Sequence, residues 1–260
     1  MVETTQTDWD PGAYDRFRGQ RLRPAQDLIH AVGSVPAGDI VDLGCGSGVA
    51  AEGLRARFGD RRLIGVDTSA TMLAKATATG LYDRLDQADI TLWRTDAPPA
   101  LIFSNAALHW LGAHDRLVPR LAAMLAPGGT LAVQVPHQNN APSHRVWLSL
   151  ADEMFPGRYD GAGGPDVLLP ADYHHLLSPL GSLTLWETEY YQLLPADKGA
   201  HPVRRYTEAT FARPLLATLD DGERAQLIAA YEAVMEKAYP RGADGSVLFP
   251  FRRLFFTLVV

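Results

Sequence analysis

Through the first half of the chain, short apolar runs bounded by glycine and proline alternate with stretches of helical spacing. Ile40 to Leu43 follows a Pro36-Ala37-Gly38-Asp39 turn and suits a short buried strand, while Val49 to Phe58 can form a helix. The next apolar run, Arg62 to Val66, ends at Asp67 and reads as a second strand. Leu85 to Ile90 reads as a third, Leu101 to Ala106 as a fourth, and Thr130 to Val135, entered through Pro127-Gly128-Gly129, as a fifth. Strands that alternate with helices predict a mostly parallel sheet with helices on its faces.

Beyond Pro136 the pattern becomes helical stretches broken by proline and glycine. His144 to Phe155 carries Val146, Leu150 and Met154 at helical spacing, whereas Gly157 to Pro165 is too glycine-rich to be regular and reads as a loop. Leu183 to Leu194 alternates as a sixth strand, and Val247 to Val260 contains a last one. Between them two helices are predicted, around Val203 to Leu219 and Asp220 to Ala238. The second has Leu227, Ala230, Tyr231 and Val234 as its apolar face, and Asp220 and Glu223 stand at capping-box spacing.

The chemistry concentrates where the first strand gives way to the first helix, in Asp42-Leu43-Gly44-Cys45-Gly46-Ser47-Gly48. Glycines at alternate positions let the backbone turn sharply and lie close to a ligand, because no Cβ blocks the approach. Asp67, at the end of the next strand, is placed to accept bonds from both hydroxyls of an adenosine ribose. Two nucleoside cofactors compete for this layout. A dinucleotide fingerprint needs glycine where Val49 stands and sets a pyrophosphate on the helix N-terminus. A carboxylate two residues before the first glycine suits the ammonium of an amino-acid cofactor better than a pyrophosphate. A tight turn that binds nothing is the third reading. The spacing resembles motif I of class I S-adenosylmethionine-dependent methyltransferases.

Composition narrows the classes. The 260 residues suffice for one large α/β domain with an elaboration, and 47% hydrophobic with 21% charged residues is ordinary for a globular enzyme. A net charge of −6 without a long basic run argues against nucleic acid or an anionic membrane as partner and for a small molecule. The single cysteine, Cys45, excludes an intrachain disulfide and a cysteine metal cluster. Met1 to Pro11 lacks the charged start and apolar core of a secretion signal, so a cytoplasmic location is expected. The eight histidines are scattered without metal-ligand spacing, and no metal is expected. The sequence carries no signal for an oligomeric state.

Trp9-Asp10-Pro11, Tyr14, Arg21-x-Arg23-Pro24-Ala25, Ser104-Asn105-Ala106-Ala107-Leu108-His109-Trp110-Leu111 and Gln134-Val135-Pro136 follow one another along the first half. Pro142-Ser143-His144, Tyr190-Tyr191, Arg213-Pro214-Leu215, Tyr239-Pro240 and Phe251-Arg252-Arg253-Leu254-Phe255-Phe256 follow along the second. In this order they resemble the trans-aconitate 2-methyltransferase family over nearly the whole chain. The resemblance implies a Rossmann-like class I methyltransferase fold, an α/β protein with a mostly parallel seven-stranded sheet and a helical cap from segments after strands 5 and 6. It implies a cofactor core at 1–136 with an N-terminal helical cover, and at 137–260 the cap that selects substrate plus the last two strands.

The cofactor implied is S-adenosylmethionine, with S-adenosylhomocysteine as its product, and the acceptor a carboxylate of a small polycarboxylic acid, trans-aconitate first. An ionised carboxylate needs no general base, so no catalytic dyad is expected and alignment is the main task. The cofactor residues implied are Tyr14, Arg23, Asp42, Gly44, Cys45, Gly46, Gly48, Asp67, Thr68, Met72, Asp89, Ile90, Asn105, Ala106 and Trp110. Asp89 and Ile90 would meet the adenine amine and ring. Arg213 and Arg253, with Gln134, His144 and Tyr191 as uncharged donors, are the expected holders of the acid, since arginine binds carboxylates in bidentate pairs. The chain departs from the family at Thr210-Phe211-Ala212, where Thr-Gly-Leu is usual, so Phe211 is expected to reshape the acceptor pocket. A cofactor-binding protein with another acceptor, or without methyl transfer, is the alternative that this departure supports.

Overall fold

The computed structural model describes residues 18–160 and 166–260, so Tyr14, the Trp9-Asp10-Pro11 segment and the 161–165 part of the expected loop lie outside the described residues. The chain divides into two compact units. Among the described residues, the first comprises 18–135, Val167–Trp186 and Leu254–Val260; the second comprises 136–160, Asp166 and Glu187–Arg253.

In chain order, α1 (Arg18–Ala31) precedes β1 (Ile40–Leu43), α2 (Ala51–Phe58), β2 (Leu63–Asp67), α3 (Ala70–Ala78), β3 (Arg84–Gln87) and β4 (Leu101–Asn105). A 3-10 turn (Leu108–Trp110), α4 (His114–Ala122), β5 (Thr130–Pro136), α5 (Pro142–Met154), α6 (Pro170–Leu177), a second 3-10 turn (Ser178–Leu180) and β6 (Ser182–Leu194) follow. The chain ends with α7 (Pro202–Glu208), α8 (Arg213–Leu216), α9 (Asp221–Ala238) and β7 (Val247–Val259).

The seven strands form one sheet in the order β3-β2-β1-β4-β5-β7-β6. Strands β3, β2, β1, β4 and β5 pair in parallel, with Val41 of β1 opposite Ile64 of β2 and Ile102 of β4. All of β1 is buried, and in β2 and β4 only the last residue is partly exposed, as expected where helices cover both faces of a parallel sheet. Because β1 has β2 on one side and β4 on the other, the chain leaves it in opposite directions across the sheet. The crevice beyond the carboxyl ends of β1 and β4 is the switch point where open α/β sheets bind ligands. Helix α1 closes on α2 through a missing side chain, since a Cβ on Gly53 would stand 2.9 Å from Ile29.

In the second unit, Trp147 of α5 stacks on Tyr231 of α9 with ring centroids 3.8 Å apart. Trp147 Nε1 donates to Thr207 Oγ1 (2.9 Å), and the Tyr231 hydroxyl donates to the Ser143 carbonyl (2.8 Å). The three helices thus bury their polar atoms in mutual hydrogen bonds. The capping box is present, with Glu223 N–H donating to Asp220 (2.8 Å) and Asp220 N–H to Glu223 (3.1 Å).

Four expectations of local structure are corrected. Helix α2 starts at Ala51, because residues 46–50 are taken up by the turn of the glycine loop. Strand β3 stops at Gln87, short of Ile90. The Asp89 side chain there accepts from the N–H and hydroxyl of Thr91, and its carbonyl accepts from Leu92 and Trp93, so a turn replaces the ladder. The single helix expected over Val203 to Leu219 is two, α7 and α8; Pro214 has no N–H to carry the ladder across, and Ala212 N–H turns back to the Thr207 carbonyl.

The buried faces of α5 and α9 are also rotated from those expected. Helix α9 buries Leu227, Tyr231 and Met235 while Val234 is exposed, and α5 buries Ser143, His144, Trp147 and Ala151 rather than Val146, Leu150 and Met154. The Trp147 and Tyr231 stack sets both faces. Among the described residues, no helix is long and apolar enough to cross a membrane.

Candidate functional site

Beyond β1 the backbone adopts positive φ at Gly44 (78°), Gly46 (53°) and Gly48 (84°), a region that L side chains avoid. Gly44 and Cys45 both donate to the Val66 carbonyl (2.8 and 3.0 Å), which lays the loop across the end of β2. The three glycines answer to different neighbours. A Cβ on Gly44 would stand 2.2 Å from the Cβ of Ala107 and 3.4 Å from Ile90; one on Gly48 would meet Tyr82 at 3.2 Å. One on Gly46 would meet nothing within 4 Å, so this glycine faces open space.

Asp67 ties the loop down from β2. One carboxylate oxygen accepts from Gly46 N–H and the other from Ser69 N–H, both at 2.9 Å. Asp42, 2% exposed, accepts from the Tyr82 hydroxyl at 2.6 Å. Burial pushes the Asp42 carboxyl up to about 7; the Tyr82 bond works downward and the neighbouring Asp67 charge adds to the rise. Burial and the same two carboxylates hold the Cys45 thiol protonated.

A cavity at this point is lined by Asp42, Gly44, Cys45, Gly46, Ser47, Val49, Ala50, Asn105 and Ala106. The sequence-predicted Asp42, Gly44, Cys45, Gly46, Asn105 and Ala106 thus come together from the ends of β1 and β4. Asn105 Oδ1 is buried and without a hydrogen-bond partner among the described residues, and Ala106 holds a positive φ of 53° while its N–H donates to the Gln134 carbonyl (2.9 Å). An acceptor oxygen left over beside a buried carboxylate fits a cationic donor such as an amino-acid ammonium. The open space over Gly46 is a cradle that a side chain would fill.

The other predicted cofactor residues flank this cavity or stand apart from its lining. Ile90 is buried and in reach of Gly44, whereas Asp89 is exposed and engaged with Thr91. Thr68 is exposed, Met72 is buried in the first turn of α3, and Trp110 is 42% exposed with its ring 4.5 Å from that of His109. Arg23 is exposed on α1 and donates to Asp27 at 2.8 Å. Tyr14 lies outside the described residues.

Of the predicted acceptor residues, Gln134 is fully buried in β5. His144 is 8% exposed in α5, with Ser143 Oγ at 3.0 Å and the Phe211 ring at 4.4 Å; burial pushes it down to about 4, so it is neutral at physiological pH. Tyr191 is exposed on β6, where a hydrogen bond to Glu189 raises its hydroxyl. Arg213 is exposed at the start of α8, and Arg253 is buried in β7 with its guanidinium 4.8 Å from the Phe251 ring.

Sequence reasoning missed Tyr82, Ala107, Ser47, Val49 and Ala50. Tyr82 stands in the connection before β3, 40 residues from the carboxylate it bonds, and no local pattern marks it. Ser47, Val49 and Ala50 were within reach of inference, since residues between and just after glycines of such a loop line whatever the glycines approach.

A family model described as a methyltransferase domain matches residues 40–129. The trans-aconitate 2-methyltransferase of Methylobacterium nodulans is 40% identical over 252 residues, covering 95% of this chain and 96% of the relative. That of Paracidovorax citrulli is 39% identical over 256 residues, with the same coverage of both chains. Among solved structures, the YcgJ protein of Bacillus subtilis superposes with a TM-score of 0.58 at 13% identity over 91% of this chain and 98% of that one. Haemonchus contortus phosphoethanolamine N-methyltransferase 2, in complex with S-adenosylhomocysteine, does so with a TM-score of 0.53 at 16% identity over 91% of this chain and 52% of that one. These two are similar in fold.

Proposed function

Since the chain belongs to the trans-aconitate 2-methyltransferase family, we propose that it transfers the methyl group of S-adenosylmethionine to a carboxylate oxygen of trans-aconitate. The observation that carries the cofactor half is the loop itself. Three glycines at positive φ open a cradle beside a buried Asp42 and the leftover acceptor of Asn105, at the switch point of the sheet.

When bound, S-adenosylmethionine supplies an electrophilic methyl carbon on a sulfonium sulfur and leaves as S-adenosylhomocysteine. Asp42 and Asn105 would receive the ammonium of its methionyl part. Asp67 would take the ribose hydroxyls, because each of its oxygens keeps a lone pair after bonding Gly46 or Ser69. Ile90 offers an apolar surface to the adenine, and Asp89 an acceptor for its amine.

The acid needs holding rather than activation, since a carboxylate is already ionised near neutral pH. Residues 137–260 supply most of the groups proposed for that task, with Arg213 and Arg253 as cations and the neutral His144 as a donor without charge. Gln134 and Tyr191 complete the proposed set. A small anionic partner rather than nucleic acid agrees with the net charge of −6. A cytoplasmic location is part of the proposal, supported by a single cysteine that leaves no intrachain disulfide to form.

Incubation of the purified protein with methyl-labelled S-adenosylmethionine and a panel of acids, amines and phenols tests this reading. A labelled methyl ester of trans-aconitate is expected. Label on amines or phenols with none on tricarboxylates would overturn the acceptor. Tight cofactor binding without turnover would leave a binding protein, the alternative that Phe211 motivates.

A further inference from the structure

Among the described residues, no cation stands with the groups that face the Asp42 carboxylate. It is 2% exposed, and the titratable groups among the described residues that face it are Tyr82 from the connection before β3, Cys45 from the glycine loop and Asp67 from the end of β2. None of these three is a cation. The Tyr82 hydroxyl, donating to Asp42 Oδ2 at 2.6 Å, is therefore the side chain that favours the ionised form. Tyr82 is held there by its ring, which occupies the room beside two glycines; a Cβ on Gly48 would come within 3.2 Å of it and one on Gly65 within 2.8 Å.

Resting on the cofactor reading above, we infer that Tyr82 is a positioning residue that holds Asp42 ready as an anion for the methionyl ammonium and makes cofactor affinity depend on pH through that carboxyl. With the Asp42 carboxyl near 7, binding of an ammonium below that pH requires its proton to leave for solvent. Affinity then rises with pH and levels off above neutrality. Removing the hydroxyl removes the group that pulls the carboxyl downward, so the level region moves to higher pH.

The test is calorimetry of S-adenosylhomocysteine binding to the full chain across neutral pH, with proton release read from buffers of different ionisation enthalpy. Wild-type protein is expected to release a proton below neutrality and to bind more tightly as pH rises. Tyr82→Phe keeps the ring against Gly48 and Gly65, so its thermal midpoint stays near wild type, while the profile moves up by about one pH unit and affinity at neutral pH falls about fivefold. Asp42→Asn is expected to flatten the profile.

A Tyr82→Phe profile that stays at the wild-type pH, with or without a lower thermal midpoint, would overturn the inference and leave Tyr82 a packing residue. Carbon-13 titration of the Asp42 carboxyl in ligand-free wild-type protein reads the same point without a variant. A midpoint near 7 is expected, and one in the ordinary carboxylate range overturns the inference. Wild-type protein that binds no S-adenosylhomocysteine at any pH would instead bring down the cofactor reading beneath it.

Discussion

The carboxylate of Asp67 accepts a hydrogen bond from the backbone N–H of Gly46, so the acid at the end of β2 holds the shape of the loop that follows β1. Its place is thus double, anchoring the cradle and, in the proposed function, taking the ribose hydroxyls. Asp67→Ala should lower both the thermal midpoint and the affinity for S-adenosylhomocysteine, the affinity by about 1.5–3 kcal/mol for a charge-assisted pair. Calorimetry and thermal unfolding of the same sample check this. A lower affinity with an unchanged midpoint would remove the anchoring role.

Gly44 and Gly46 separate stability from binding. Gly44→Ala places a methyl 2.2 Å from Ala107 at a φ of 78°, so strain of about 1–2 kcal/mol joins overpacking of about 1–3 kcal/mol and the fold is weakened. Gly46→Ala bears only the backbone strain, because its Cβ meets nothing within 4 Å, but that methyl enters the cradle. Denaturant unfolding should rank Gly44→Ala as the less stable variant. Gly46→Ala should be the one that folds and fails to bind.

His144 titrates against the fold. Its pKa of about 4 in the folded state lies below the usual 6.5, so between these values the unfolded chain binds the extra proton. The stabilisation is complete above about pH 6.5 and is lost as pH falls toward 4, by at most about 3 kcal/mol. Thermal midpoints measured across this range should fall less steeply in His144→Gln than in wild type. Parallel slopes would show that other groups govern the acid limb.

Thr207 accepts the indole N–H of Trp147 in the interior of the second unit. Thr207→Val keeps the shape and leaves a buried donor unsatisfied, which should destabilise the protein by about 1–3 kcal/mol. The shift in the urea midpoint measures it, and a change under about 0.5 kcal/mol, ordinary for a surface site, would show that the indole finds another partner.

The two proposed arginines should behave differently. Arg213 is exposed, so Arg213→Ala should raise the KM for trans-aconitate with stability and cofactor affinity near wild type. Arg253 is buried over the Phe251 ring, and Arg253→Ala should also lose stability, by about 0.5–2 kcal/mol for the cation and ring contact. Steady-state kinetics beside thermal unfolding separate the effects. An Arg213→Ala variant with wild-type KM would remove Arg213 from acid binding.

What could be read from the chain alone was what short stretches encode. The five alternating strands, the glycine loop, Asp67 at the end of its strand and the Asp220 and Glu223 box each depend on neighbours within a few residues, and the structure has them. Periodicity marks which residues are apolar, but it does not name their partners. The Tyr82 bond to Asp42 spans 40 residues, the buried faces of α5 and α9 turn to where Trp147 meets Tyr231, and the gap at Gly44 is defined by Ala107. Local sequence encodes backbone propensity, whereas the environment of a buried carboxylate and the facing of a helix are set by side chains that only packing brings together.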